Sequence, residues 1–157
     1  MKKKHIFYLI MFLILIFITN YYFQFMIVNG KSMFPTFQGN EFIIINKHNK
    51  DYNIGDIIVF KSHDKEERFY IKRIVAKEND HIQISNNEVI LNNKPLYENY
   101  LNKYTETLGN YDEIIPKDEY FVLGDNRKYS KDSRVIGNIK KDDIIGKVSF
   151  KITKINY

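Results

Sequence analysis

The segment GKSMFPTFQGN follows the most apolar stretch of the chain and contains a single serine, Ser32. A serine hydroxyl is a poor nucleophile until a neighbouring base removes its proton. Histidine is the usual base, but none of the four histidines stands in a segment that suggests this role. A lysine can replace histidine if its amine is held in the neutral form. Ser32 is therefore either a nucleophile that needs such a lysine or only a hydroxyl in a turn.

Lys72 is the best candidate for that base among the twenty lysines. It lies within RFYIKRIVAK, whose aromatic and β-branched residues predict a strand. Side chains alternate along a strand, which would place Lys72 on the same face as Tyr70, Ile74 and Ala76. Burial there would lower the pKa of the amine by penalising its charged form. Because Arg73 has equally apolar neighbours on the opposite face, a Lys72 that extends from a sheet edge into solvent stays an open alternative.

A third polar segment, GDNRKYSKDSRVIGNI, covers residues 124–139 and follows the apolar sequence YFVL. It combines glycines, small hydroxyls and alternating charges. Such residues favour tight turns and local hydrogen bonds, which suits a scaffold beneath a site. A solvated polar loop would have the same composition, so both interpretations stay open.

The elements that must position these residues begin with an apolar N-terminus. Ile6 to Val28 spans 23 residues, which is about 34 Å as a helix against a hydrocarbon core of about 30 Å. We predict a transmembrane helix over 6–27. Its unbroken apolar part is shorter, over 6–18, so the membrane span is expected to end among the aromatic residues near 21–23. The small residues of a signal-peptide cleavage site do not follow the apolar run, so the helix is expected to stay attached.

Lysines at positions 2, 3 and 4 precede this helix and supply much of the formal net charge of +5. The positive-inside rule then predicts a cytoplasmic tail over 1–5 and an extracytoplasmic domain over 28–157. The remaining charges are mixed in sign, which argues against a nucleic-acid-binding protein. The basic tail is compatible with attraction to anionic lipid.

Beyond residue 28 the sequence changes to short runs rich in Ile, Val, Phe and Tyr, separated by Gly, Asn and Asp. We expect a mainly β fold, with an antiparallel, barrel-like or sandwich-like catalytic domain behind a single N-terminal transmembrane helix. The polar stretch 98–113 is the segment most expected to be a mobile loop. The runs predict strands at 41–46, 56–61, 68–77, 80–85, 88–92, 119–124 and 143–153.

The composition also limits the chemistry. The chain contains no cysteine, which excludes disulfides, thiolate metal sites and a cysteine nucleophile. The four histidines are scattered, and no pair has metal-ligand spacing. We therefore expect neither a metal nor another cofactor.

Taken together, these segments resemble the type I signal peptidases, membrane-bound Ser-Lys proteases, and in particular their short Gram-positive form. The resemblance rests on GKSMFPTFQGN, GDIIVF, FYIKRIVA, GDNRKYSKDSRVIGNI and IIGKVSF, which occur in family order behind one apolar segment. It implies removal of signal peptides from exported preproteins by cleavage after small residues in an Ala-x-Ala-like pattern. It also implies a bacterial cytoplasmic membrane location, with preproteins and membrane lipid as partners. We expect a monomer that binds no nucleic acid.

Carried over by position, the resemblance makes Ser32 the nucleophile and Lys72 the general base. Ser130 would hydrogen-bond to the Lys72 amine and orient it. Asp132 and Arg134 would form a supporting ion pair.

The same resemblance makes the backbone N–H of Ser32 one donor of the oxyanion hole. Some family members have a serine hydroxyl as a second donor two positions earlier, where this chain has Gly30. Residues 124–127 would form the loop beneath the site. Met33 and Pro35 are expected to line the substrate pocket, although core packing or contact with lipid is an alternative for Met33.

Two other classes of protein stay open. A self-cleaving Ser-Lys repressor or mutagenesis protein shares this catalytic logic, but the apolar N-terminus argues against such a soluble protein. A membrane-tethered binding protein with an incidental serine would keep its function when Ser32 or Lys72 is replaced.

Overall fold

The computed structural model describes residues 2–63 and 68–152. Met1 of the predicted tail lies outside the described residues, as do the residues after 152 and thus the last residue of the predicted strand 143–153. The chain begins with helix α1, Lys2–Tyr22, whose apolar side chains are exposed on all sides. This helix is long and apolar enough to cross a membrane.

Helix α1 ends at Tyr22, so the predicted helix over 6–27 is too long at its C-terminal end. Phe23–Ile27 instead forms strand β1, which pairs with strand β2, Phe42–Asn46. The turn after β2 caps the helix, because the N–H of Lys47 donates to the Tyr22 carbonyl at 3.0 Å. The Lys47 ammonium group donates to the Asn20 carbonyl at 2.6 Å. A donor and a cation at this end satisfy carbonyls that have no partner within the helix.

The other regular elements follow in short succession, with a second helix α2 at Ser133–Ile136 and 3₁₀ turns at Arg127–Tyr129 and Lys141–Asp143. The strands after β2 are β3 (Ile57–Lys61), β4 (Phe69–Lys77), β5 (His81–Ser85), β6 (Glu88–Leu91), β7 (Lys94–Pro95), β8 (Tyr111–Ile114), β9 (Glu119–Leu123), β10 (Ile139–Lys140) and β11 (Ile144–Ile152).

The described strands form two antiparallel sheets. The larger sheet has the order β1-β2-β11-β3-β4-β9-β10, and the smaller has the order β7-β6-β5-β8. The prediction of a mainly antiparallel β domain behind an apolar helix is confirmed. The larger sheet is not a closed barrel within the described residues, since β1 and β10 are its two edges. The predicted strands are all present, and the short strands β1, β7, β8 and β10 are additions.

Strand β4 lies inside the larger sheet and is buried on both faces from Lys72 to Ala76. Ile74 pairs with Val122 and Ala76 with Phe121, so Val75 is the extra residue of a β-bulge. Ile74 belongs to one core cluster, whereas Val75 and Ala76 belong to another. The prediction that Ala76 shares the Lys72 face is therefore wrong, because the bulge interrupts the alternation.

Candidate active site

Ser32 lies in a tight turn that follows β1 and leads into the core. The Phe34 N–H donates to the Lys31 carbonyl at 3.1 Å, which closes the turn around Ser32. The Ser32 carbonyl accepts the N–H of Asn126 at 2.9 Å, so the turn is attached to the loop after β9. Ser32 itself is half-buried.

Lys72 lies on β4 with its side chain only 1% exposed. Its Nζ lies 2.9 Å from Ser32 Oγ and 2.9 Å from the Ile71 carbonyl oxygen. Burial lowers the pKa of the Lys72 amine from 10.5 to about 8, while the more distant charges of Asp132 and Asp125 oppose that change. The structure thus brings the two predicted catalytic side chains into contact in a dry environment.

A cleft of about 920 Å³ opens over these two residues. Its walls are the backbone segments 26–32 and 68–72, with Ile43 and Val59 at its base and Tyr129 at its rim. Met33 and Pro35 are not among the residues that line this cleft, contrary to the prediction. Met33 is only 1% exposed, because the turn directs it into the core cluster that contains Ile43 and Val59.

Gly30 lines the cleft beside Ser32, with a backbone φ of +92°. This left-handed conformation is readily adopted by glycine and costly for residues with a side chain. A Cβ atom added here would meet no atom within 4 Å, so the backbone and not crowding favours glycine. Because glycine has no side chain, position 30 supplies no hydroxyl as a second donor to the oxyanion.

Ser130 does not make its predicted hydrogen bond to Lys72. Its Oγ is buried without a hydrogen-bond partner among the described residues. It nevertheless lies close to the site: a Cβ atom on Gly124 would fall 2.2 Å from Ser130 Oγ and 2.5 Å from the Ser32 carbonyl oxygen. The side chain packs against the backbone of residue 124, and only glycine at that position allows this approach.

Asp132 and Arg134 form the predicted ion pair, with two hydrogen bonds of 2.8 and 2.9 Å. The Asp132 carboxylate also accepts the N–H of Gly124 at 3.0 Å, deep in the protein. Arg134 donates further to the Arg127 carbonyl at 2.7 Å. The pair therefore holds the ends of the loop over 124–134 together below Ser32.

Arg73 was not identified as a site residue from the sequence, yet it supports the opposite side of β4. It donates to the buried Asp125 carboxylate at 2.9 and 2.6 Å, and Thr36 donates to the same carboxylate. The Tyr100 ring stacks on the Arg73 guanidinium, with 3.9 Å between Cζ and the ring centroid. Arg73 thus connects the strand of Lys72 to the turn of Ser32.

A second support, between Arg127 of the predicted loop and the stretch 98–113, was not predicted from the sequence. Arg127 is buried and pairs with Glu98 and Thr107, both in the stretch expected to be mobile. The Tyr100 hydroxyl donates to Glu98 at 2.6 Å. The N-terminal half of this stretch is therefore held against the loop of Arg127, and Tyr111–Ile114 is strand β8. A polar sequence gave no signal for these long-range contacts.

Comparison with known proteins shows the family of the chain. The sequence model of the family described as signal peptidase, peptidase S26, matches residues 2–153. A signal peptidase I from Bacillus caldolyticus is 38% identical over 143 residues, which cover 80% of this chain and 76% of that protein. A signal peptidase IB from Staphylococcus aureus (strain Mu50 / ATCC 700699) is 33% identical over 144 residues, with 79% and 74% covered.

The fold has a counterpart among solved structures. The crystal structure of a signal peptidase I from Enterococcus faecalis V583 superposes with a TM-score of 0.56 and 24% identity, covering 63% of this chain and 97% of that one. This likeness concerns the fold, whereas the match to the family's sequence model extends over helix α1 and both sheets. The chain belongs to the signal peptidase family, peptidase S26.

Proposed function

We propose that Ser32 is the nucleophile and Lys72 the general base of this membrane-anchored serine endopeptidase, which removes signal peptides from preproteins. One observation supports this assignment most strongly: a buried amine with a pKa lowered to about 8 lies 2.9 Å from the Ser32 hydroxyl. In the described part of the chain, Lys72 Nζ has no carboxylate within ion-pair distance. Such an amine can lose its proton near neutral pH and then accept one from Ser32.

Acylation then follows from the positions of these groups. Neutral Lys72 accepts the Ser32 hydroxyl proton while Oγ attacks the carbonyl carbon at the end of the signal peptide. The carbonyl oxygen becomes an oxyanion and accepts a hydrogen bond from the Ser32 N–H. The Lys72 ammonium group returns the proton to the departing amine, which becomes the new N-terminus of the mature protein.

Deacylation repeats the chemistry with water as the nucleophile. Lys72 is neutral again after it has protonated the leaving amine, so it can accept a proton from the attacking water. The tetrahedral intermediate collapses with Ser32 Oγ as the leaving group, and Lys72 protonates that oxygen. The cycle needs only the groups already described at this site.

The walls of the cleft favour an extended substrate. Residues 69–72 of β4 pair with β3 on one side, whereas the pairing of β4 with β9 begins only at Arg73. Strand β1 pairs with β2 and is otherwise an edge among the described strands. A signal peptide inserted as a strand between these two edges would gain main-chain hydrogen bonds that tolerate many sequences. Small residues at the −1 and −3 positions fit such close backbone contacts.

The anchor explains where this chemistry takes place. We propose that α1 crosses the cytoplasmic membrane once, with the basic tail inside and the β domain outside. The domain would start at β1, because the helix ends at Tyr22. Ser32 follows that end by ten residues, so the site stays within about 35 Å of the membrane surface. Signal peptides end their own apolar segment at the same depth, which brings substrate and site together.

Processing of a preprotein tests the assignment. The full chain in liposomes is incubated with a preprotein that has an Ala-x-Ala site, beside the variants Ser32→Ala and Lys72→Ala. We expect both variants to lose processing while they stay folded and membrane-bound. Ser149→Ala and Lys94→Ala, at exposed strand positions, are matched controls that should process normally. Processing by either site variant at the wild-type rate would refute the assigned pair.

A further inference from the structure

The donor for the oxyanion is the backbone N–H of Ser32, if the proposed function is correct, and its direction is set by a neighbouring carbonyl. This N–H has no acceptor among the described residues, and Ser32 lines the cleft. It belongs to the peptide unit whose carbonyl is that of Lys31. Because a trans peptide is planar, its C=O and N–H point in opposite directions, and fixing one fixes the other. The only cis peptide among the described residues lies elsewhere, at Phe34–Pro35.

Asn126 holds this peptide unit from outside the cleft. Its side-chain Nδ2 donates to the Lys31 carbonyl at 3.0 Å, on the side opposite the Ser32 N–H. Its backbone N–H donates to the Ser32 carbonyl at 2.9 Å. Asn126 thus donates hydrogen bonds to the carbonyls of both Lys31 and Ser32. The Lys31 carbonyl also accepts the Phe34 N–H at 3.1 Å, so two donors restrain its direction and polarise the peptide.

The position of Asn126 in its own loop supports a role outside that loop. It is the N-cap residue of the 3₁₀ turn Arg127–Tyr129, where an asparagine side chain normally accepts a hydrogen bond from the turn. Its side chain makes no such capping bond here. It crosses instead to Lys31, 95 residues away in sequence. The loop is rigidly supported, since the adjacent Asp125 is buried and bound to Arg73.

We propose that Asn126 is the positioning residue of the oxyanion hole, which aligns the Ser32 N–H with the oxyanion of the tetrahedral intermediate. Asn126 touches neither substrate nor reacting atoms and acts through the Lys31–Ser32 peptide. Its contribution appears only when negative charge develops on the substrate oxygen. An effect of this kind lowers kcat and leaves substrate binding almost unchanged.

Kinetics of the full chain in detergent test this proposal. Asn126→Ala removes the Nδ2 donor without adding charge, and we expect kcat to fall by about tenfold to hundredfold, since deletion of a whole oxyanion donor costs 10²–10³. KM should change by less than about twofold, because a transition-state contact is lost. Asn126→Asp lacks the donor and places a carboxylate beside the Lys31 carbonyl, so it should show at least the same loss. Asn102→Ala lies at an exposed position of the loop over 97–110, between β7 and β8, and is the matched control. Its kinetics should be unchanged.

A second measurement separates alignment from general loosening. A substrate-like peptide aldehyde forms a tetrahedral adduct with Ser32, whereas the matching peptide alcohol binds without an adduct. Aldehyde affinity should fall in parallel with kcat/KM in both Asn126 variants, and alcohol affinity should stay constant. An unchanged kcat, or an equal fall in aldehyde and alcohol affinity, would overturn the role of Asn126. If Asn126→Ala melts below the assay temperature, Asn126→Asp decides the question.

The proposed function fails by a different result. Ser32→Ala that still processes preprotein contradicts the nucleophile assignment and with it the oxyanion hole. A dead Ser32→Ala beside a fully active Asn126→Ala contradicts only the positioning role.

Discussion

Lys72 and Arg73 are neighbouring buried cations on one strand, yet their surroundings are opposite. Lys72 Nζ contacts a hydroxyl and a backbone carbonyl, and its pKa is lowered to about 8. Arg73 is bound by the Asp125 carboxylate through two hydrogen bonds and lies against the Tyr100 ring. Burial without a close counter-charge makes an amine easy to deprotonate, whereas a guanidinium stays charged and needs a partner. The strand thus carries the proposed base on one side and a structural cation on the other.

The same contrast extends to Arg127, which is buried, and to Arg134, which is half-buried. Arg127 pairs with Glu98, and Arg134 pairs with Asp132. The Arg127–Glu98 pair connects the loop over 124–134 to the segment 97–110, and the Arg134–Asp132 pair lies within that loop. The Arg73–Asp125 pair connects the same loop to β4. A carboxylate placed against Lys72 would have raised the pKa of the amine and prevented its use as a base. Asp125, Glu98 and Asp132 thus pair with arginines, and no carboxylate of the described residues lies within ion-pair distance of the Lys72 amine.

The largest effect expected is that of Lys72→Arg. The guanidinium keeps the positive charge but does not deprotonate in the accessible pH range, so Ser32 loses its base. We expect kcat/KM for a preprotein to fall by about 10⁴-fold or more, as for other essential nucleophile–base pairs. Lys94→Arg, at an exposed position, should have wild-type activity. A loss of less than tenfold in Lys72→Arg would mean that another group is the base.

Asp125→Ala should act on the scaffold instead of the base. It leaves the Arg73 guanidinium buried without its counter-charge, which typically costs about 3–5 kcal/mol in the free energy of unfolding. The expected result is a clear fall in melting temperature in detergent. Asp142→Ala, at an exposed position, is the matched control and should melt like the wild type. An unchanged melting temperature in Asp125→Ala would show that Arg73 does not depend on this pair.

Lys72→Met should have the opposite effect to Asp125→Ala on the free energy of unfolding, and should stabilise the fold at neutral pH. The pKa of the amine is 10.5 in an exposed lysine and about 8 in the folded chain, so below pH 8 the folded state bears a charge penalty of at most about 3 kcal/mol. Between pH 8 and 10.5 the Lys72 amine is neutral in the folded state but still protonated in the unfolded state, and the charge penalty falls to zero as the pH rises over this range. The melting temperature of Lys72→Met should therefore exceed that of the wild type at pH 7.

The pH dependence of that difference provides the check. The gap in melting temperature between Lys72→Met and wild type should shrink as the pH rises from 8 to 10.5, since both proteins then have a neutral side chain at position 72. Comparison of the two proteins cancels the titration of other groups. A gap that stays constant over this range would contradict a lowered pKa at Lys72.

The smallest expected effect is the change of kcat/KM with pH. Only neutral Lys72 can accept the Ser32 proton, so kcat/KM should rise with pH and level off above a midpoint near 8. Between pH 7 and 9 the expected gain is about tenfold, as follows from a single titrating group. Rates with a soluble peptide substrate at constant ionic strength measure this profile. An optimum on the acid side would exclude a lysine base.

Much of the fold and the central pair could be predicted from the sequence, because both leave local signals. Strand runs such as those around Val59 and Val122 are apolar and bounded by turn residues. Ser32 and Lys72 each left an alternative open, and the order of motifs along the chain, which resembles the type I signal peptidases, identified them as a pair. Burial of Lys72 could not be deduced from alternation alone, because both faces of β4 are covered and a bulge at Val75 shifts the pattern.

The rest depended on contacts between segments far apart in sequence. The apolar run over 23–27 suits a helix as well as a strand, and only pairing with β2 decides for β1. Glu98 and Thr107 lie in a polar stretch, and their contacts with Arg127 leave no local trace. The direction of the Ser130 hydroxyl is a side-chain choice that no spacing determines.

Titration of the Lys72 amine measures whether burial lowers its pKa enough for the neutral form to act as the base. Full-length protein labelled with ¹³C at lysine Cε is followed by NMR in detergent from pH 6 to 12, with Lys72→Met identifying the resonance. We expect a midpoint near 8 for Lys72, well below the value of about 10.4 for ordinary lysines. A midpoint at the ordinary value would exclude Lys72 as the base, because the amine would then stay protonated where the enzyme works.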